Sequence, residues 1–400
     1  MSLFFEYPVE AKSAKQHYVF QSQWSSGESP VLAVAYSNGT VRFSNEEGEQ
    51  IIEPYDRKVP CSCLAWHPQL PLLAIGYEDG ALVVWTPRAG VLRVHQSTHK
   101  KRVTIAVWSP VGSRLVSADL GGTIAVWAPK PDGSLMLMCK HSKRVALSHC
   151  VFSVGVGGRS CPPFFLGSES GELFIADDQG HCSHVLTVDG GVAFMHHEIA
   201  GNYLVIVTKN VVLLKYTITL SPQMRMAETK KVKLSVRGSG SDMKCSMAGP
   251  GLLAAANSES MIRLWDLEAG ENYTLHPEEE PSEKKNASPD SIRTIAYNPT
   301  KRLLTAGTAR GRVHLWRYVG SPDAKNDDSS WHPMATKKMS SGIFDLTWAP
   351  GSHGLLAVGT HHAVAILNQH RLLCKSVLGK SYVQLTKSHL IVRSEEKGGG

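Results

Sequence analysis

The sequence predicts an all-β fold, a β-propeller built from four-stranded antiparallel blades, and three observations carry that expectation. The first is composition. In 400 residues, 42% are hydrophobic without counting glycine, and 35 glycines and 21 prolines punctuate the whole length. That much apolar matter excludes a disordered chain, and the punctuation excludes a coiled coil. The second is repetition: a short apolar run, a small or polar turn and a second apolar run recur eight times. The third is the interval. Trp85 follows Phe43, and Trp127 follows Trp85, at the same 42-residue spacing, which is that of a propeller blade.

The eight copies lie at 32–43, 72–85, 115–127, 164–175, 203–216, 252–265, 303–316 and 355–367. Each reads as a β-hairpin, with strand-length runs rich in Val, Ile, Leu and aromatics. Turns such as Ser37 to Thr40, Glu78 to Ala81 and Ala309 to Arg312 supply residues that tolerate positive φ. Upstream of most hairpins lies another apolar strand, closed in four copies by an aromatic, one residue and a proline. These are Trp66 with Pro68, Trp108 with Pro110, Tyr297 with Pro299 and Trp348 with Pro350. Proline cannot donate to the ladder and ends the strand. Downstream comes a weaker, more polar strand, such as Val91 to Val94 or Arg371 to Val377.

A four-stranded sheet that is apolar on both faces must have both covered, and neighbouring blades in a closed ring do this. The hairpin-end indoles Trp85, Trp127, Trp265 and Trp316 are expected to fill the space between blades, with Trp66, Trp108 and Trp348 as further structural aromatics. Eight hairpins favour eight blades over the commoner seven. The propeller is expected over 1–380. Residues 381–400 then form a closing strand, around Leu385 to Val392, or the start of a second propeller with a tail; Phe4 to Val9 is the other candidate to complete the last blade. The connectors Val156 to Pro163, Pro277 to Asp290 and Gly320 to Ser330, with the charge run beginning at Glu278, read as surface loops.

The net charge is +7 and charged residues are 19%. This favours acidic partners without demanding nucleic acid. Eight irregularly spaced cysteines read as reduced thiols of an intracellular protein. The opening residues lack the basic and apolar regions of a secretory signal, and the longest apolar stretch, Tyr203 to Tyr216, is interrupted by Lys209, Asn210 and Lys215. A cytosolic chain is expected.

Catalytic signatures are missing: no nucleophile elbow, zincin motif, phosphate-binding loop or sialidase-type Asp box is present. Histidines at 181 and 184, 196–197 and 361–362, and the pair Cys61 and Cys63, invite a metal reading but lack a second chelating pair. Glu78, Asp79 and Asp119 sit in hairpin turns, where acids usually form the turn. No enzyme, metal, cofactor or small-molecule substrate is expected. The basic residues are more informative. Loops from the outer strand of one blade to the inner strand of the next lie on one face of the ring, and three are basic: Lys100, Lys101 and Arg102; Lys143 and Arg144; Lys337 and Lys338. The first two are successive and should sit side by side as a partner-binding rim for an acidic peptide or an anionic membrane surface.

The unit resembles a worn WD repeat, since Trp265-Asp266 is a true Trp-Asp and the Gly-His dipeptide is nearly absent. The stretch from Leu264 to Glu279, the run from Ala306 to Trp316 and the opening Phe5 to Ala11 are similar to the amino-terminal propeller of the intraflagellar transport protein 140 family. The resemblance covers nearly the whole chain. It implies a non-enzymatic scaffold of intraflagellar transport complex A, acting in retrograde ciliary transport and in ciliary entry of membrane receptors. It also implies the other subunits of that complex and tubby-like adaptor proteins as partners, and a place in cytoplasm, cilium and basal body. Family members carry a second propeller and a helical-repeat tail, so the chain matches a fragment or short form of them. The alternative is a WD-repeat adaptor of a vesicle coat or ubiquitin ligase that recruits a peptide to the ring face.

Overall fold

The structure, a computed structural model, describes residues 2–9, 17–88, 90–153, 161–219, 225–234, 242–277, 290–320, 327–371, 373–377, 380–384 and 390–394. Eight antiparallel sheets follow one another as blades of a ring. Their inner strands are Val19–Trp24, Cys61–Trp66, Val103–Trp108, Leu147–Phe152, Val192–Glu198, Lys244–Met247, Ile292–Asn298 and Ile343–Trp348. Each inner strand touches the next, and the eighth touches the first, so the ring is closed. All eight expected hairpins supply the two middle strands of a blade. The expected loops over 156–163, 277–290 and 320–330, and the charge run from Glu278, fall largely outside the described residues.

Period-two patterning builds this architecture. In Leu73–Tyr77 every residue is buried: Leu73, Ile75 and Tyr77 face blade 1, whereas Ala74 faces blade 3. Among the described residues eight apolar clusters form, one at each blade-to-blade interface. Trp85 stacks on Phe43 of blade 1, with ring centroids 3.7 Å apart and planes 5° from parallel. Trp127, Trp265 and Trp316 occupy the corresponding interfaces of their blades, and Trp348 packs half-buried beside Phe4 at 6.5 Å.

Inner strands are sheet edges, and neighbouring blades satisfy their free polar groups. Gln21 and Gln23 accept from the backbone N–H of Leu64 and Trp66 at 3.1 Å each. The indoles of Trp66 and Trp108 donate to the carbonyls of Gln23 and Ala65 at 3.0 Å each. The Thr104 hydroxyl donates to Leu147 O at 2.8 Å. These bonds keep the backbone around the channel paired, as buried polar groups require.

The last blade departs from the sequence reading. Its outer strand is Ser2–Pro8, paired with Val364–Arg371, and not Arg371 to Val377. The candidate Phe4 to Val9 is therefore the one that completes the ring. Leu373–Val377 instead pairs with Lys380–Gln384, which pairs with Leu390–Ser394. Of the expected strand over 385–392, residues 385–389 lie outside the described residues. The physical reason is that Phe4 joins the buried cluster between blades 7 and 8, so the amino-terminal strand brings its own core contact.

Candidate functional site

The basic loops are held in place by their neighbours. Residues 96–102 join the outer strand of blade 2, Gly90–His95, to the inner strand of blade 3. Residues 143–146 join the outer strand of blade 3, Leu135–Ser142, to the inner strand of blade 4. Each packs against the preceding blade's hairpin turn. Gly80 has φ +85°, and a Cβ there would meet His99 O at 2.7 Å; Gly122 has φ +81°, and a Cβ there would meet Val145 O at 2.6 Å. Only glycine combines that φ with that approach.

Beneath the first loop lies a buried polar chain. The Trp127 indole donates to Ser117 Oγ at 2.8 Å, and Ser117 Oγ lies 2.7 Å from His99 Nε2. His99 Nδ1 stands 3.5 Å from Asp119 Oδ2. Asp119 accepts from the backbone N–H groups of Gly121 and Thr123, both at 2.9 Å, and of Lys100 at 3.2 Å. Burial pushes the His99 imidazole below its ordinary value, with Asp119 opposing, so a neutral ring sits in the network. The signal for this chain in the sequence is spread over Thr98-His99, Ser117-Ala118-Asp119 and Trp127, three segments with no local motif.

Lys100, Lys101, Arg102 and Arg144 are exposed on these adjacent loops. Arg102 lies 4.0 Å from Glu78. Lys143 is half-buried: its ammonium donates to Cys182 O at 2.8 Å and sits 5.5 Å from the Phe174 ring centroid, tying the loop to blade 4. Two neighbours extend the arc. Lys58, exposed at φ 59°, lies on the loop between blades 1 and 2, and the exposed Lys140 donates to Thr98 O at 2.7 Å. Arg57 on that loop is neutralised by Asp79 at 2.7 Å, which holds the Asp79 carboxyl below its ordinary value. Lys337 and Lys338 do not join the arc. They form a short strand against Arg312 and Val313 on blade 7, four blades around from blade 3, and not a loop. Several like charges on one face of a ring make a field whose reach is set by salt.

The other candidates are committed elsewhere. His181 lies 3.0 Å from Asp177 Oδ2, and His184 lies 3.0 Å from Thr187 Oγ1. Burial pushes the Cys63 thiol up to about 12 and Cys61 higher still, so both stay protonated and poor as metal ligands. Among the described residues no three His, Cys, Asp or Glu side chains are grouped to hold a metal ion. A second surface feature, which sequence reasoning missed, lies where blade 8 meets blade 1. Exposed Tyr18 and Phe344 each pack 5.8 Å from the His361 ring, with His362 at 4.4 Å.

The comparisons with known proteins agree with this geometry. The family model described as the IFT140 first beta-propeller matches residues 2–161 and 154–370. The chain belongs to that family. It is also 26% identical over 160 residues to human WD repeat-containing protein 90, covering 38% of this chain and 9% of that one. It is 40% identical over 58 residues to the putative E3 ubiquitin-protein ligase LIN-1 of Lotus japonicus, covering 14% of this chain and 4% of that one. The chain thus spans less than a tenth of these relatives. The crystal structure of the computationally designed Ika8 protein superposes with a TM-score of 0.61 at 13% identity, over 90% of this chain and 99% of that one, a likeness of fold alone. An IFT140-type WD-repeat propeller is, by family, an interaction scaffold.

Proposed function

We propose that this propeller is a non-enzymatic scaffold of intraflagellar transport complex A. It would serve retrograde ciliary transport and receptor entry in cytoplasm, cilium and basal body. The observation that carries the reading is the family match along nearly the whole ring. The basic arc from Lys58 to Arg144 is the surface where an acidic segment of another subunit, or of a tubby-like adaptor, docks. Loops anchored by Gly80 and Gly122 present these charges on a rigid frame, which limits the entropy lost on binding. The turn carboxylates support a role without chemistry: Asp119 is spent on backbone N–H groups, Asp79 on Arg57, and Glu78 lies beside Arg102.

Affinity purification of the tagged chain from ciliated cells tests the reading. Recovery of transport-complex subunits and tubby-like adaptors supports it. Recovery of a ubiquitin-ligase core or a vesicle coat in their place overturns it. Flotation with vesicles containing phosphatidylserine separates a protein partner from an anionic membrane: co-flotation assigns the arc to lipid.

A further inference from the structure

On the outer rim of blade 3 the basic arc runs into an apolar sheet edge that the scaffold reading does not use. The edge strand, Leu135–Ser142, reads Leu-Met-Leu-Met-Cys-Lys-His-Ser. Met136, Leu137 and Met138 are exposed at 46%, 43% and 40%. Three other outer strands are blunted in recognisable ways. Gln50–Asp56 carries Pro54 and acids, Arg225–Lys233 is crowded with charge, and Trp331–Pro333 is three residues long. The blade 3 edge has no proline, and its first charge is Lys140. It does carry a bulge: Cys139 opposes Val126 and Leu137 opposes Trp127, leaving Met138 as the extra residue. The bulge divides the edge into a polar upper half, Cys139 to Ser142, and an apolar lower half, Met136 to Met138.

We infer that this edge accepts an extended segment of a different protein as a fifth, antiparallel strand, with acidic residues first and alternating apolar residues after them. Direction follows from the charge. The strand runs from Leu135 towards the basic loops, so an antiparallel partner enters beside Lys140, Lys143 and Arg144 and leaves along Met138, Leu137 and Met136. Main-chain hydrogen bonds supply affinity, and the two halves supply order. Charge also selects against a second copy of this chain. Antiparallel self-pairing sets each Lys140 to Arg144 end against the other's Lys130 end, where the acids are already engaged: Asp132 accepts from Ser134 at 2.7 Å, and on blade 4 Asp177 lies 3.0 Å from His181 and Asp178 2.8 Å from Arg114. The inference goes beyond the scaffold reading, which stands whether this edge is occupied or bare.

The test uses the full chain and a fluorescein-labelled synthetic peptide of four acidic residues followed by an alternating Val–Thr run. Fluorescence anisotropy should give saturable binding. The peptide with its halves in reverse order should bind at least ~tenfold more weakly. N-methylation of alternate amides in the Val–Thr half, in both phases, should abolish binding in at least one phase. The doubly substituted Met136→Glu, Met138→Glu chain should lose ~tenfold or more in affinity while keeping the parent's Tm, because both side chains face solvent. Lack of saturable binding by the acidic-first peptide, indifference to its order or to N-methylation, or unchanged affinity of the double variant overturns the inference. Sedimentation that shows a dimer abolished by the double variant overturns it in favour of self-pairing.

Discussion

Asp345 and Ser22 close the ring across 323 residues: one carboxylate oxygen accepts the Ser22 backbone N–H at 2.8 Å and its hydroxyl at 2.5 Å. Thr347 adds a bond in the same seam, donating to Ser22 O at 3.0 Å. These contacts join the inner strand of blade 8 to that of blade 1, the junction between segments far apart in the chain. Replacing Asp345 by Ala leaves two donors without an acceptor and should cost about 1–3 kcal/mol in urea unfolding. Asp345→Asn keeps an acceptor oxygen and should stay within about 1 kcal/mol of the parent at neutral pH. Burial raises the Asp345 carboxyl above its ordinary value, so the parent loses stability as pH rises through the folded pKa. The Asn variant should lack that loss.

The stacked pair Phe43 and Trp85 gives a second prediction. Trp85→Ala removes a buried indole between blades 1 and 2 and should destabilise the fold by about 3–5 kcal/mol, measured by denaturant titration. Trp85→Phe should lose less, because an aromatic face remains to stack.

Acid should loosen the ring. Burial drives His314 down to about 4, and His67, His99, His149, His196 and His197 shift in the same direction. Their folded pKa values lie below the unfolded value near 6.5, so the unfolded chain takes up protons first. The histidines' contribution is therefore full above about pH 6.5 and is lost as pH drops, with His314 accounting for about 2–3 kcal/mol of the loss by pH 4. Thermal melts from pH 7.5 down to 4 should show Tm falling below 6.5, with a shallower slope in His314→Gln.

Gly122→Ala should disturb stability and binding together. The new Cβ strains a φ of +81° and presses on Val145 O, so a loss of about 1–3 kcal/mol is expected. The displaced loop carries Lys143 and Arg144, so affinity for the purified partner should fall as well, measured well below the variant's Tm.

Charge reversal of Lys100, Lys101, Arg102 and Arg144 should weaken partner capture chiefly through the association rate, with the parent's salt dependence much reduced. These side chains are exposed, so Tm should hardly change. Surface plasmon resonance at two salt concentrations checks both.

The hairpins were legible because their signal is local: Leu73 to Trp85 alone specifies two apolar strands and a glycine turn. The outer strand of blade 8 was not, because nothing near Val364–Arg371 announces that Ser2–Pro8 is its partner. At the site, the run from Lys100 to Arg102 stands out by charge, whereas Lys58 is a single lysine beside an arginine already spent on Asp79. Lys337 and Lys338 read as loop because lysine is a poor strand former, yet pairing with Arg312 and Val313 makes them strand. The polar chain from Trp127 to Asp119 was hidden because folding brings together its three separate segments.

That Ser2–Pro8 completes the final sheet bears on how the molecule is made. A ribosome releases this segment some 360 residues before its mate, Val364–Arg371, at about 5–20 residues per second. Over that interval Phe4 has no cradle, and seven blades can stack while the circle stays open. Among the strands of the ring, this one should need shelter longest on the nascent chain.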